Sequence, residues 1–286
     1  MGTLIIGGTT ASGKSSLAIA LAQKYGAAIV SADAMTVYRE LDIGTAKPTQ
    51  AELQVVPHEG INIRNIDEEC DVSAFCDIVS NAKRKHGHII IAGGTTFWLS
   101  ALVRPLADLP PSDPTIRAKL EALPDAHLAL QDIDPAAAER LHPNDKVRII
   151  RALEVQALTG KTQTQLHAEG AVYPPIDAEV AWLDHADLAS RIHTRVQQMV
   201  DDGYVSEVDQ ILTNGWPPDA KPLRSFSYKH MIEHHQGELE LEEALRRTER
   251  DTRHFAKKQR NWARSLGWSA SSKEAVYAKA KLAFGN

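Results

Sequence analysis

Three short apolar runs stand out along the chain: Leu4, Ile5 and Ile6; Ala28, Ile29 and Val30; and the stretch HIIIA from His88 to Ala92. Each is bounded by Gly, Ser or Asp and stands beside a stretch of helical periodicity. Apolar runs without alternation mark strands buried on both faces, as in βαβ units. Residues 15–25, SSLAIALAQKY, have the apolar spacing of a helix, and Gly26 is placed to end it. The first part of the chain therefore predicts an α/β fold with a parallel sheet flanked by helices.

The texture changes at Pro110 and Pro111. Ser112-Asp113-Pro114 reads as a helix start, with a helix over 115–123. Asp134-Pro135 opens another over 136–141, and a long helix over 145–159 is closed by Gly160. The run Val180, Ala181, Trp182 and Leu183 returns to the sheet pattern, and the chain from about Asp187 is helical again. The simplest organisation is a core of residues 1–111 and 185–286 interrupted by an all-helical insertion, taken as 112–184. Residues 269–286 show no readable pattern.

Composition adds little to this picture. Apolar residues make up 43% and charged residues 24%, as in an ordinary globular protein. No apolar run approaches the ~20 residues of a membrane span, and the N-terminus reads as a strand, not a signal peptide. Cys70 and Cys76 are too few for a disulfide framework and fit free thiols in a cytoplasmic protein. The net charge of −5 means that any nucleic-acid site must be local.

The chemistry begins at Gly8-Thr9-Thr10-Ala11-Ser12-Gly13-Lys14-Ser15, which fits G-x-x-x-x-G-K-[ST] between a strand and a helix. Backbone amides of such a loop converge on an anion at a helix N-terminus. Lys14 adds a mobile charge, and the Ser15 hydroxyl can hold a Mg²⁺ bridging two phosphates. The motif specifies a diphosphate or triphosphate, not a nucleotide, and a kinase satisfies it as well.

Asp33 follows the second strand, at the carboxyl edge where α/β sheets bind ligands. It suits a metal ligand, a general base or a helix N-cap. Gly93-Gly94-Thr95-Thr96 ends the third strand, where two glycines admit a close backbone or a substrate. Between them lies Ile43-Gly44-Thr45-Ala46-Lys47-Pro48, a loop without periodicity.

With these segments in place, the sequence resembles the tRNA dimethylallyltransferase family. The resemblance is carried by GTTASGKS, SADAMTVYRELDIGTAKP, IAGGTTFW, LHPNDKVRIIRALEVQALTGK, RIHTRVQQMVDDGYVSEV and RHFAKKQRNWAR, in order over roughly residues 3–268. It implies a P-loop NTPase-like core, a helical insertion that grips tRNA, and a channel between them. It implies dimethylallyl diphosphate as donor, Mg²⁺ as cofactor, and N6 of the adenosine 3′ to the anticodon as acceptor. Gly8 through Ser15 would then hold the diphosphate, Asp33 would be the base, and Thr10 would position Asp33 or a donor oxygen. Arg224 would reach the diphosphate. Asp33, Ala34, Met35, Thr36, Thr95, Arg117, Val147, Arg148, Ile149, Ile150 and Arg151 would contact tRNA. This chain departs from the family's usual proline at Thr9, glutamine at Thr36 and Val147, tyrosine at Trp98 and glycine at Ser227.

The charge pattern bears on the same partner. Residues 112–184 hold 7 Lys/Arg and 12 Asp/Glu, a net acidic stretch. Arg148 and Arg151 share a helix face at i, i+3. Arg246, Arg250, Arg253, Lys257, Arg260 and Arg264 form a basic stripe at 4-3-4-3-4 spacing beside a packing stripe, and this stripe is expected to meet RNA phosphates. His230, His234 and His235 cluster without metal-ligand spacing. A small-metabolite kinase, a prenyltransferase of free adenine nucleotides and a non-catalytic RNA-binding module are the rival functions. A monomer is the expected state.

Overall fold

The computed structural model describes residues 2–107 and 109–285. In chain order its elements are β1 (Thr3–Gly8), α1 (Lys14–Tyr25), β2 (Ala28–Ser31), α2 (Gln50–Val55), β3 (His58–Glu59), α3 (Val72–His86), β4 (Ile89–Gly93) and α4 (Thr96–Val103). There follow β5 (Leu106–Ala107), α5 (Pro114–Glu121), α6 (Ala126–Ile133), α7 (Pro135–Arg140), α8 (Lys146–Thr159), α9 (Gln163–Glu169) and β6 (Ala171–Tyr173). The chain closes with β7 (Glu179–Leu183), α10 (Leu188–Asp201), α11 (Tyr204–Thr213), α12 (Lys229–His235), α13 (Leu241–Ser265) and α14 (Lys273–Phe284).

The apolar runs form the predicted strands. They lie in a five-stranded sheet of order β3-β2-β4-β1-β7, parallel throughout. Leu4, Ile5, Ile6, Ile89, Ile90 and Ile91 are wholly buried, each contributing about 1.5–3 kcal/mol. One face packs α1 and α14 on Leu4, Ile6, Leu21, Ile90 and Val276. Elsewhere in this unit Phe75 of α3 stacks on Trp98 at 4.6 Å. The parallel order sends the ends of β1, β2, β4 and β7 to one edge, where the phosphate loop and Asp33 stand.

Two compact units result. One comprises residues up to Ser100 together with those from Asp177 onward; the other is Ala101–Ile176. The boundaries expected at 112 and 184 therefore move. Val180–Leu183 belongs to β7, an inner-core strand hydrogen-bonded along β1 from Leu4↔Glu179 to Gly8↔Leu183. At the other end, the chain after α4 already belongs to the second unit, where β5 pairs antiparallel with β6.

The second unit is helical apart from that short ladder. Leu130, Ala137, Ile149 and Leu153 form its core. Asp113, Asp134 and Asp145 each cap a helix by accepting backbone N–H bonds, as the starts read at those positions predicted, and Asp125 does the same for α6, a helix the sequence pattern did not mark. Glu154 is fully enclosed. It accepts from Ser112 Oγ at 2.7 Å, Asp113 N at 2.8 Å and Arg151 at 2.7 Å. Burial alone would raise its carboxyl, but Arg151, Ser112 and the Asp113 amide hold it below the ordinary carboxylate range. Among the described residues no helix is long and apolar enough to cross a membrane.

Candidate active site

β1 ends at Gly8, and the next residue is fixed before the loop turns. Thr9 is fully buried: its N–H donates to Leu183 O at 3.1 Å and its hydroxyl to Asp184 Oδ1 at 3.1 Å. Its side chain thus faces β7 and is removed from the expected diphosphate contacts. Ser12 N–H donates back to Thr9 O, and Gly13, at φ 87°, caps α1 in a left-handed conformation that favours glycine. Lys14 Nζ also donates to Thr9 O, at 3.2 Å. Burial and the Arg195 guanidinium push its pKa down to about 8, against the pull of Asp33. Ser12 Oγ is buried with no hydrogen-bond partner among the described residues.

Asp33 lies where the sequence placed it, just past β2. Its Oδ1 accepts from Met35 N at 2.9 Å, so part of its capacity turns the local backbone. Ala34 N donates to Thr95 Oγ1 at 2.9 Å, and Thr95 N to Ala32 O, tying this segment to the end of β4. The approach is close: a Cβ on Gly93 would stand 2.1 Å from Ala32 O. Thr36 is buried, its hydroxyl bonded to Ser31 Oγ and Asp33 O, which takes it out of reach of a tRNA base.

Three cavities share the residues around this edge. One of about 400 Å³ has Thr10, Asp33 and Arg195 on its polar side and Met35, Phe97, Ile192, Val196 and Phe226 among its apolar walls. A small one of about 70 Å³ is lined by Lys14, Ser15, Asp33 and Arg195. An open groove of about 950 Å³ runs past Ala11 to Ser16 and Arg191. Arg195 borders all three. Arg195 stands in the segment RIHTRVQQMVDDGYVSEV, and the family resemblance carried by that segment assigned it no role. The available signal was the i, i+4 pair Arg191 and Arg195 beside the apolar Ile192, Val196 and Met199 on α10. Arg191 Nε donates to Ala11 O at 2.6 Å, and Arg195 to Thr45 O at 3.5 Å. Burial lowers the Arg195 pKa, while the Asp33 charge opposes the shift.

Arg224, expected at the diphosphate, is not brought to these cavities. A 3-10 turn over Lys221–Arg224 ends in extended backbone at Ser225. The exposed guanidinium folds back to Asp219, 2.5 Å from its carbonyl and 3.4 Å from its carboxylate. Ser225 and Ser227 line the 400 Å³ cavity in its place.

The loop after Asp33 is also anchored. Glu207 accepts from the amides of Asp42 (3.0 Å), Ile43 (2.6 Å) and Gly44 (3.0 Å) and from Tyr228 Oη (2.7 Å). Lys47 is buried beneath the loop on Tyr38 O, Asp42 and Asn62. Nothing in the local pattern marked Glu207, which lies more than 160 residues from the loop it holds.

The basic stripe on α13 is partly paired with carboxylates. Arg246 pairs with Glu243, Arg250 with Asp251 and Arg253 with Glu249. Arg260 makes a two-pronged bond to Asp184, at 2.6 and 3.0 Å. His230 lies between Glu233 and Asp251, while His234 bonds Leu239 O and His235 bonds Asp209.

In the second unit, Arg117 and Val147 border a cavity of about 490 Å³. Val147 is 74% exposed, and Arg148 is exposed and paired with Asp145. Ile149 and Ile150, expected to touch tRNA, are 1% and 4% exposed because the helical period turns them into the packed side of α8. Arg151 is likewise turned to Glu154 and Pro110 O, so its charge holds the fold.

A family model described as IPP transferase matches residues 36–266. The chain is 40% identical over 268 residues to tRNA dimethylallyltransferase 1 of Citrifermentans bemidjiense, covering 91% of this chain and 88% of that one. It is 42% identical over 279 residues to tRNA dimethylallyltransferase 1 of Trichlorobacter lovleyi, covering 92% and 90%. Among solved structures, the full-length tRNA isopentenylpyrophosphate transferase of Bacillus halodurans matches with a TM-score of 0.66 and 30% identity over 98% of this chain and 95% of that one. A eukaryotic dimethylallyltransferase acting on tRNA matches with a TM-score of 0.79 and 29% identity over 92% and 70%. With its phosphate loop, its post-β2 aspartate and these matches along nearly its whole length, the chain belongs to the IPP transferase family.

Proposed function

We infer that the protein transfers a dimethylallyl group from dimethylallyl diphosphate to N6 of the adenosine 3′ to the anticodon in tRNA, releasing diphosphate. One observation carries this reading: Asp33 and Arg195 border both the small cavity that Lys14 and Ser15 line and the larger cavity walled by Met35, Phe97, Ile192, Val196 and Phe226. A charged leaving group then finds Lys14 and Arg195, and a short apolar tail finds apolar walls, beside one carboxylate.

The amine nitrogen of adenine attacks the allylic carbon. The carbon–oxygen bond breaks, its electron pair leaves with the diphosphate, and Asp33 takes the N–H proton. Lys14, Arg195 and the loop amides face the charge that grows on the departing oxygens. Each donor aimed in advance is worth about 3 kcal/mol. Ser15, exposed at the first turn of α1, is the hydroxyl that would hold a Mg²⁺ beside a bound diphosphate. Such an ion, when bound, neutralises leaving-group charge. The acceptor base must leave its stack, at a cost of a few kcal/mol. The exposed Val147 and Arg148, with the half-buried Arg117, are the candidates for holding the surrounding nucleotides. We take the working form to be a cytoplasmic monomer.

The test is to mix the protein with labelled dimethylallyl diphosphate, Mg²⁺ and either unmodified tRNA or free adenine nucleotides. Label in tRNA is expected. Label in free nucleotides alone would overturn the acceptor, and a requirement for ATP would favour a kinase. Asp33→Asn should lower turnover by about 10²-fold while tRNA affinity is kept; equal losses in both would make Asp33 a contact and not a base.

A further inference from the structure

Helix α13 sends two consecutive side chains, Gln259 and Arg260, into the back of the phosphate loop. Gln259 is 1% exposed, and both ends of its amide are used. Oε1 accepts from Thr10 N at 2.9 Å, and Nε2 donates to Gly94 O at 2.8 Å. The two partners lie on different strand ends. Thr10 is in the phosphate loop after β1, and Gly94 follows β4. The next residue, Thr95, receives Ala34 N and bonds Ala32 O, so Gly94 is one residue from the fastening of the Asp33 segment. The fit is close, since a Cβ on Gly94 would stand 2.4 Å from Gln259 Nε2. Arg260 secures the other side of the loop through Asp184, whose Oδ1 also accepts from Thr9. Burial alone would raise the Asp184 carboxyl, yet Arg260, the His185 amide and Thr9 hold it low. Lys14 Nζ donates to the carbonyl of that same Thr9.

We propose that Gln259, supported by the Arg260–Asp184 pair, is a positioning residue that sets the spacing between the phosphate loop and Asp33. The proposal rests on the prenyl-transfer reading, in which Lys14 and the loop hold the leaving group while Asp33 receives the proton. In such a reaction two partners on separate strands must be aligned to within a fraction of an ångström. A single buried amide spanning both strand ends does this without touching either substrate. It also explains why a carboxamide, with one acceptor and one donor, stands there: Thr10 offers an N–H and Gly94 a carbonyl.

Two substitutions disturb the amide in different ways. Gln259→Met removes both hydrogen bonds at similar volume. Gly94→Ala leaves Gln259 in place but pushes its flexible end aside, with the only other close neighbour of the new Cβ, Gly8 O, at 3.4 Å. For both, turnover per folded molecule should fall about tenfold or more, because misplacement of the order of 1 Å is that costly, with tRNA affinity unchanged. The loss should also fail to multiply with that of Asp33→Asn, since residues acting as one unit are not additive. Inorganic pyrophosphate affinity, measured by calorimetry, should fall by a similar factor in both variants. Multiplying losses, or unchanged turnover and pyrophosphate affinity per folded molecule in both variants, would overturn the proposal. Wild-type protein that transfers no label to tRNA would instead overturn the prenyl-transfer reading, and pyrophosphate affinity alone would then decide whether Gln259 sets the loop.

Discussion

Glu207 offers the sharpest test of how the site is held, because one carboxylate organises a whole loop. It takes three successive amides, from Asp42, Ile43 and Gly44, and the hydroxyl of the buried Tyr228. Burial and the neighbouring Glu207 charge push the Tyr228 phenol well above its ordinary pKa, so it stays a donor. The aromatic wall is tight: a Cβ on Gly44 would stand 2.7 Å from Tyr228 and 2.8 Å from Tyr204. In Glu207→Ala, water can reach the Asp42 amide but not easily the Tyr228 hydroxyl or the inner amides. Hydrogen bonds to a charged group contribute about 1.5–3 kcal/mol each; the four share one half-buried carboxylate and do not add, and water replaces part of what is lost, so the loop loses the worth of little more than one of them, about 2–4 kcal/mol. Amide hydrogen exchange over residues 42–44 should then quicken by roughly 30- to 1,000-fold, with little change on the central strands β1 and β4. Glu207→Gln should recover less than half of the protection, because its NH₂ must face one of the backbone donors. Exchange in Glu207→Ala within about threefold of the parent protein would refute the anchoring argument.

Three further outcomes follow from the geometry. Lys14, held at about 8 when nothing is bound, should take up about three-quarters of a proton when a diphosphate binds at pH 8.5, and little at pH 7; calorimetry in buffers of different ionisation enthalpy measures this, and Lys14→Met should abolish it. Arg195→Ala should lower turnover by about 10²-fold, the loss of one leaving-group donor, as read from single-turnover rates at saturating donor. Glu154→Ala should destabilise residues 101–176 by about 3–5 kcal/mol, because Arg151, the Ser112 hydroxyl and the Asp113 amide all lose their buried acceptor. Since the folded Glu154 pKa lies below its ordinary 4.5, its contribution is complete above that value and is lost as pH falls through the lower folded value. Unfolding midpoints of the parent protein from pH 7 to pH 3 should therefore show an acid-side loss that Glu154→Ala lacks.

What could be read without coordinates divides along physical lines. Strands β1, β2 and β4 were legible because parallel strands buried on both faces write continuous apolar runs. The phosphate loop was legible because its backbone demands Gly13 at a fixed place. Asp33 followed from strand polarity alone. By contrast, β3 has only two residues and leaves no pattern. Helix α14 was missed although Val276 and Ala280 stand at i, i+4, Tyr277, Ala283 and Phe284 pack beside them, and Ser272 caps it. Ile149 and Ile150 were given to tRNA because motif position counts residues along the chain, whereas the helical period decides which way each side chain points.

The basic stripe of α13 shows most clearly where such reading stops. Spacing at i+3 and i+4 establishes that six cations share a face, but it is silent about what that face meets. The pattern itself contained part of the answer, since Glu243, Glu249 and Asp251 lie on the same helix within reach of Arg246, Arg253 and Arg250. Exposed pairs of this kind are weak and screened by salt, so RNA phosphates can displace them. Arg260 is different, because Asp184 comes from the end of β7 and no local rule could have paired residues 76 positions apart. That pairing changes what the residue does. A cation expected to meet RNA phosphates instead neutralises the carboxylate that holds Thr9. Lys14 and Arg195 supply the positive charge beside Asp33, while α13 braces the phosphate loop through Gln259 and, by way of Asp184, through Arg260.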